Sequence, residues 1–380
     1  MSNHIIPMDA VSSILSLLPV KSLLRFKSVS KEWCSFINEP YFIKLHLSQS
    51  MQTNKYNRNI IFKEVESGKL ISVDFDSINF QNLKAINHPL KHLSGCGADD
   101  DYGDIQVFGS CNGLLYLINR RYRIIVLWNI STRDYKVLPD ESLKVTSIRG
   151  EIWYFYGFGH DSINDDYKIV RVAQEVDSVN HTLIISEVKV YSLKTNTWRK
   201  GEEIPYYFRN RSVTGTFVCG ALHWLAVEER EWECPSSIIA FDVATEKYRQ
   251  IELVDNMERN AYSVVPRALQ GCLCTITTCF NNEVNIWVMK DYGVKESWTI
   301  LHSFQGSISS APHVHPLRPL AYSRTGDRLL LHHDGLSFLW YDLKENQFEE
   351  VDLLQLNNVK TFLVEICVES LVQLGESIKA

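Results

Sequence analysis

The sequence predicts a small all-α module of three to four helices followed by a large all-β body. Three observations lead there. Apolar residues recur at helical spacing over the first fifty residues and largely lose that spacing after Ser50. Short β-branched and aromatic runs then alternate with turns of Asn, Asp, Gly, Ser and Thr, the pattern of antiparallel strands. Within those runs a pair of aromatic residues seven apart recurs, its second member at 135, 198, 248, 298 and 348, so that the last three intervals are fifty residues each. Two hairpins per fifty residues make four strands per unit, the blade of a β-propeller, and about five or six blades are expected.

The helices come first. From Pro7 to Leu18, apolar side chains at Ala10, Val11, Ile14, Leu15, Leu17 and Leu18 form one face of a helix. Pro7 suits a helix start, where its missing N–H costs nothing, and Pro19 ends the helix by pushing Leu18 out of the α region. Ser22 is expected to cap a second helix with an inner face of Leu23, Leu24, Phe26 and Val29. Ser30 caps a third carrying Trp33, Phe36 and Ile37, and Pro40 to Leu47 supplies a fourth turn or helix.

This order of residues resembles the F-box, in the form that opens many plant F-box proteins, over about residues 5 to 47. Its core is Leu18-Pro-Val-Lys-Ser-Leu-Leu-Arg-Phe-Lys27, followed by Val29-Ser-Lys31 and Trp33. Where the family opens with Leu-Pro, this chain has Ile6-Pro7, which keeps the apolar volume. The resemblance implies a module that binds a Skp-type adaptor and, through it, a cullin/RING ubiquitin-ligase core. It assigns adaptor binding and helix setting to Pro7, Leu18, Pro19, Val20, Leu23 and Leu24. A helical cap on the next domain and a helix-turn-helix DNA reader are the alternatives, the latter because Lys21, Arg25, Lys27 and Lys31 make one surface basic. Charge weighs against nucleic acid. The first fifty residues carry +2, but the remainder carries −8, and such a chain is not built for counterion release from phosphates.

The body follows, residues 51–380 against 1–50 for the helical module. Its hairpins read Leu127-Trp-Asn-Ile-Ser-Thr-Arg-Asp-Tyr135, Val190 to Trp198, Ala240 to Tyr248 and Trp340 to Phe348. They pair Trp128 with Tyr135, Tyr191 with Trp198, Phe241 with Tyr248 and Tyr341 with Phe348. A fifth copy runs from Trp287 to Trp298 with four residues inserted. An odd separation across a tight reversal can set both rings opposite each other on one sheet face. A second element with a glycine among strand residues lies between the hairpins, at 109–117, 217–225, 268–274 and 321–330, and the spacing is kelch-like. Residues 59 to 77 and 151 to 176 supply further strands.

This part is similar to the F-box-associated, kelch-type region of plant F-box proteins, the pollen S-locus F-box proteins among them. The matching residues are Cys111-Asn-Gly-Leu-Leu115, Leu127-Trp-Asn129, Ser131-Thr-Arg133, Asn164-Asp-Asp-Tyr-Lys-Ile-Val-Arg171, Gly220-Ala-Leu-His-Trp224, Ile286 to Trp298 and Glu369-Ser-Leu371. Ile130 stands where the family favours proline, and His160 where it favours Tyr or Phe.

Composition narrows the compartment. At 45% apolar and 22% charged residues, the 380-residue chain has enough hydrophobic material for a sizeable core. It has no run of eighteen apolar residues, so no membrane span is expected. Its opening residues lack a signal-peptide pattern, and its nine cysteines are irregularly spaced. A reducing compartment is expected, cytoplasm and/or nucleus, where the sequons at Asn129, Asn180 and Asn210 carry no meaning.

Several motifs invite chemistry. Gly109-Ser-Cys111-Asn-Gly113 copies the spacing of a nucleophile elbow with cysteine in place of serine, but a strand follows where the elbow needs a helix. Cys272, Cys274 and Cys279, with His313, His315, His332 and His333 beyond, lack the paired spacing of a zinc site, and they are expected to pack in the sheet. Asp99, Asp100, Asp101 and Asp104 lack the glycine and distal glutamate of a calcium loop. Gly157-Phe-Gly159 is too short for a phosphate loop, and Asp165-Asp166-Tyr167-Lys168 is read as a turn feeding a strand. No catalytic residue, metal or cofactor is expected.

The resulting expectation is a non-catalytic substrate-recognition subunit of an SCF-type ubiquitin ligase. Target contacts are placed in loops 94–108, 140–150, 176–182 and 228–236, with Trp232, an aromatic amid charges, as the candidate substrate-binding residue. An adaptor-bound scaffold without degradation, S-locus-type recognition included, and a cysteine hydrolase using Cys111 are the competing readings.

Overall fold

The computed structural model describes residues 8–52, 58–64, 69–75, 83–93, 105–140, 150–177, 183–208, 214–227, 237–254, 257, 261–279, 283–305, 317–333, 337–351, 361–375 and 378–379. The chain divides into two compact units. One holds residues 1–138, 353–355 and 363–380, and the other holds 139–352 and 356–362.

Four short helices begin the first unit: α1 (Met8–Leu15), α2 (Val20–Phe26), α3 (Lys31–Ile37) and α4 (Pro40–Gln52). Leu15, Val20, Leu23, Ile37, Phe42 and Ile43 are buried and form the centre of this module. Ser30 caps α3 as expected, its Oγ accepting the Trp33 N–H at 3.2 Å. Ser22 does not cap α2. Pro19 is the cap residue, and its carbonyl accepts the Ser22 and Leu23 N–H groups at 2.9 and 3.2 Å, so Ser22 lies inside the helix. Val29 leaves the expected inner face and is 64% exposed, because α2 has already ended at Phe26.

The rest is all β. The strands β1 (Arg58–Glu64), β2 (Leu70–Asp74) and β3 (Lys84–Ala85) form a sheet completed on the β1 edge by β25 (Thr361–Val368). The next is the antiparallel meander β4 (Ile105–Cys111), β5 (Leu114–Asn119), β6 (Ile124–Asn129) and β7 (Asp134–Val137), extended on the β7 edge by β26 (Ile378–Lys379). Apolar side chains from both sheets, among them Ile61, Leu70, Val107, Leu117 and Trp128, meet in one core cluster.

In the second unit, a nine-stranded sheet contains β8 (Gly150–Asp161), β9 (Asp166–Asp177), β10 (Leu183–Ser192), β11 (Thr197–Lys200), β12 (Tyr207–Phe208), β13 (Thr214–Val218), β14 (Ala221–Val227), β15 (Ser237–Asp242) and β16 (Tyr248–Glu252). Two four-stranded sheets follow. One is β17 (Ala261–Leu269), β18 (Cys272–Cys279), β19 (Glu283–Met289) and β20 (Trp298–Gln305). The other is β21 (Leu317–Tyr322), β22 (Arg328–His333), β23 (Ser337–Asp342) and β24 (Gln347–Glu350). Hydrophobic clusters lie between successive strand sets. Leu273 and Trp287 meet Ile238 and Leu253 in one cluster, and Ile286 and Phe304 meet Leu329 and Tyr341 in another.

The expectation of five or six blades is corrected. Among the described residues, four sheets have the four- or five-strand size of a separate blade, and the remaining strands merge into the nine-stranded sheet. The merger is a parallel pair of β13 with β8, Gly215 opposite Gly157. A Cβ on Gly157 would lie 2.6 Å from Leu222 Cδ1, and one on Gly215 would lie 2.4 Å from Trp224 Cε2. Bare backbone at both positions lets two meanders meet, which a count of repeats treats as separate units.

Candidate protein-docking site

The helical module presents an apolar surface that its own core does not cover. Ile14 is 60% exposed and Leu17 46%, while Leu18, Pro19 and Leu24 beside them are half-buried. The apolar residues of α1 are too many for one inward face. Leu15 points into the core, Ile14 is left outside, and so is Leu17 in the turn that follows α1. Of the positions drawn from the resemblance, Val20 and Leu23 are only 1% and 0% exposed, so they set the helix packing and offer no surface to a partner. Pro7 lies outside the described residues.

His46 of α4 holds the turn between α1 and α2. Its Nε2 stands 2.9 Å from the Leu18 carbonyl. Burial pushes the imidazole pKa down, so the ring is neutral and the Nε2–H tautomer donates to Leu18, which can only accept. Aromatic packing supports it, with Phe36 and Phe42 ring centroids 4.8 Å apart and Phe26 edge-on to Trp33 at 5.4 Å. The basic residues Lys21, Arg25 and Lys31 are exposed, whereas Lys27 is drawn inward and donates to Asn38 Oδ1 at 2.6 Å.

In the β body, the motifs around Cys111, Lys168 and Cys274 have structural roles. Cys111 is buried at the end of β4, and Asn112 and Gly113 turn directly into β5 with φ +52° and +83°. Strand–turn–strand is not the geometry of a nucleophile elbow. Gly113 is where the C-terminal segment crosses: a Cβ there would lie 2.3 Å from Ser370 Oγ. Asn129 Nδ2 donates to the Ser370 and Val372 carbonyls at 3.1 and 2.9 Å, and the Ser110 hydroxyl donates to Ile366 O at 2.7 Å. Three separated sequence motifs, at 111–115, 127–133 and 369–371, therefore meet in one clasp.

Of Asp165-Asp166-Tyr167-Lys168, only Asp165 lies in the turn, and Asp166 to Lys168 already belong to β9, so the strand begins inside the motif rather than after it. Lys168 is buried, with Nζ 2.8 Å from Asp161, 3.0 Å from Glu246 and donating to Val243 O at 2.7 Å. Asp166 accepts from the Ser192 hydroxyl at 2.6 Å. Cys274 is fully buried, and burial pushes its thiol up to about 12. Among the described residues, no group of three His, Cys, Asp or Glu is placed to hold a metal ion, and no helix is long and apolar enough to cross a membrane.

Trp232 lies outside the described residues, as do His313, His315, Asp99, Asp100, Asp101 and Asp104, and most of the loops assigned to target recognition. Residues 105–108 of the first such loop belong to β4.

Comparison with known proteins adds two matches. The model of the F-box domain matches residues 4–45, and that of the F-box associated beta propeller domain matches residues 60–374. The F-box protein CPR1 of Arabidopsis thaliana is 31% identical, over 97% of this chain and 88% of that protein. A second F-box protein of that plant is 28% identical over 96% of this chain and 90% of its own length. An Arabidopsis F-box/kelch-repeat protein is also 28% identical, over 80% of this chain and 81% of its own length.

Proposed function

The chain belongs to the family of F-box proteins with an F-box-associated β-propeller domain, and we propose that it is the substrate-recognition subunit of an SCF-type ubiquitin ligase. The F-box, taken as residues 1–50, docks a Skp-type adaptor and through it the cullin/RING core. The body, residues 51–380, holds a target protein. The observation that carries the adaptor half is the uncovered apolar surface of Ile14, Leu17, Leu18, Pro19 and Leu24. Leaving such side chains in water forgoes roughly 25 cal/mol per Å² of apolar burial, which a protein partner restores.

This subunit contributes no nucleophile, acid, base or cofactor. Its effect on rate comes from holding target and ubiquitin-charged enzyme together, which turns a bimolecular encounter into a local one. Work of this kind belongs in the cytoplasm and/or nucleus.

Co-purification with a Skp-type adaptor tests the reading. The intact chain should retain the adaptor, the Leu18→Ala/Pro19→Ser variant should lose it, and Ile14→Asp/Leu17→Asp should lose it with helicity unchanged. An intact chain that never retains an adaptor overturns the proposal.

A further inference from the structure

The hairpin tip between β5 and β6 carries three exposed arginines in four residues, Arg120, Arg121 and Arg123. Several other cations of the β body stand beside carboxylates. Lys247 meets Glu202 at 2.7 Å, Lys200 meets Glu203 at 3.0 Å, and Arg328 meets Glu349 at 2.9 Å. Among the described residues, no ion pair involves any of the three tip arginines. Two of them lie over aromatic rings instead, Arg120 over Phe108 and Arg121 over Tyr122, each 5.7 Å from the centroid.

The tip is built rather than loose. Asn119 at its base is fully buried, and its Oδ1 accepts the Tyr122 N–H at 3.1 Å. Arg123 takes φ +56°, and Asn119 pairs directly with Ile124 across the hairpin. Three like charges within one turn repel each other. In a chain of net charge −6 they form a local cationic point with no carboxylate paired to it among the described residues.

We propose that this tip docks an extended acidic peptide segment, a succession of Asp and Glu side chains on a partner protein. Guanidinium groups present planar forks that match carboxylates. Because Arg120 and Arg121 are propped on different rings, the cations are spread along the turn, which fits a run of carboxylates better than a single phosphate. This deepens the reading above by naming the chemistry of a target.

The test is fluorescence anisotropy of a labelled peptide containing six consecutive glutamates, titrated with the full chain. Saturable binding is expected at low salt, weakened about tenfold by R120S/R121S/R123S and by about 0.5 M salt. The arginines are exposed, so the variant should melt at the wild-type temperature; R121S alone should give a smaller loss of the same sign. Equal binding by the triple variant overturns the proposal, as does tighter binding of a singly phosphorylated peptide or of an oligouridylate. The Leu18→Ala/Pro19→Ser variant should bind the glutamate peptide as wild type does. Loss of adaptor binding and loss of peptide binding are thereby separable, and either reading can fail alone.

Discussion

Gly113 and Gly220 occupy comparable hairpin turns, at φ +83° and +74°, yet their surroundings differ completely. Around Gly220 nothing lies within 4 Å of a built Cβ, whereas at Gly113 the Ser370 side chain and the Val368 carbonyl stand at 2.3 and 2.7 Å. A left-handed backbone costs a non-glycine residue roughly 1–2 kcal/mol. Gly220→Ala should cost about that much. Gly113→Ala adds an overpacking cost of roughly 1–3 kcal/mol, because Ser370 is fastened by its backbone to Asn129. Urea melts of the two variants check this, and equal losses would mean that the clasp at Ser370 does not resist displacement. The glycine was visible in the sequence as a turn residue. Its neighbour, more than 250 positions along the chain, was not. Asn129 shows the same limit: in the sequence it begins a sequon, and in the fold it is fully buried against the C-terminal segment.

At the scale of the element, one turn accounts for the spacing of seven. A side chain at the last strand position accepts the N–H groups that follow: Asn129 from Ser131, Asp161 from Ile163, Asp242 from Ala244 and Asp342 from Lys344, at 2.9 to 3.1 Å. Four positions after each acceptor the backbone turns left-handed, at Arg133, Asp165, Glu246 and Asn346. That geometry places the flanking rings in register, Phe241 opposite Tyr248 and Tyr341 opposite Phe348, with centroids 5.0 and 4.9 Å apart. Tyr191 stands opposite Trp198 at 5.3 Å across a variant turn in which the Ser192 hydroxyl accepts the Thr195 N–H and Asn196 is left-handed. A double-mutant cycle on Phe241 and Tyr248 should return a coupling of about 0.5–1.5 kcal/mol; a coupling of zero would reduce the pair to independent burial. His160 and Tyr167, 4.7 Å apart, form one more such pair, missed because a histidine does not announce itself as a ring partner. The copy from Trp287 to Trp298 departs from the rule. Met289 stands opposite Trp298, and Trp287 faces Ile300, because the longer turn contains the 3-10 segment Lys295–Ser297.

For the whole molecule, buried titratable groups set a two-stage response to acid. Burial pushes His223 down to about 4, against the bond to Thr216 O. The folded chain therefore excludes a proton that the unfolded chain accepts, and this stability is lost as pH falls from about 6.5 toward 4. Burial also lowers His302 and His46. Asp161 is opposed by burial but held at about 2 by Lys168 and Asn164, so its stabilisation, on the order of 2 kcal/mol, is lost between about pH 4 and 2. Melting temperature should fall in two steps, with the upper one shallower in His223→Gln; an unchanged slope between pH 6.5 and 4 would remove His223 from the account. The sequence by itself determined the family, the division into helices and strands, and the hairpin registers at Trp128, Tyr191, Phe241 and Tyr341. The family was legible through the resemblance of its motifs, and the elements and registers depend on backbone periods and turn chemistry within about ten residues. Packing in three dimensions alone decided that Val20 and Leu23 turn inward while Ile14 and Leu17 stay out, that two meanders fuse at Gly157 and Gly215, and that Ser370 locks against Gly113. Those outcomes depend on which distant surface arrives at a residue, and no local spacing encodes that.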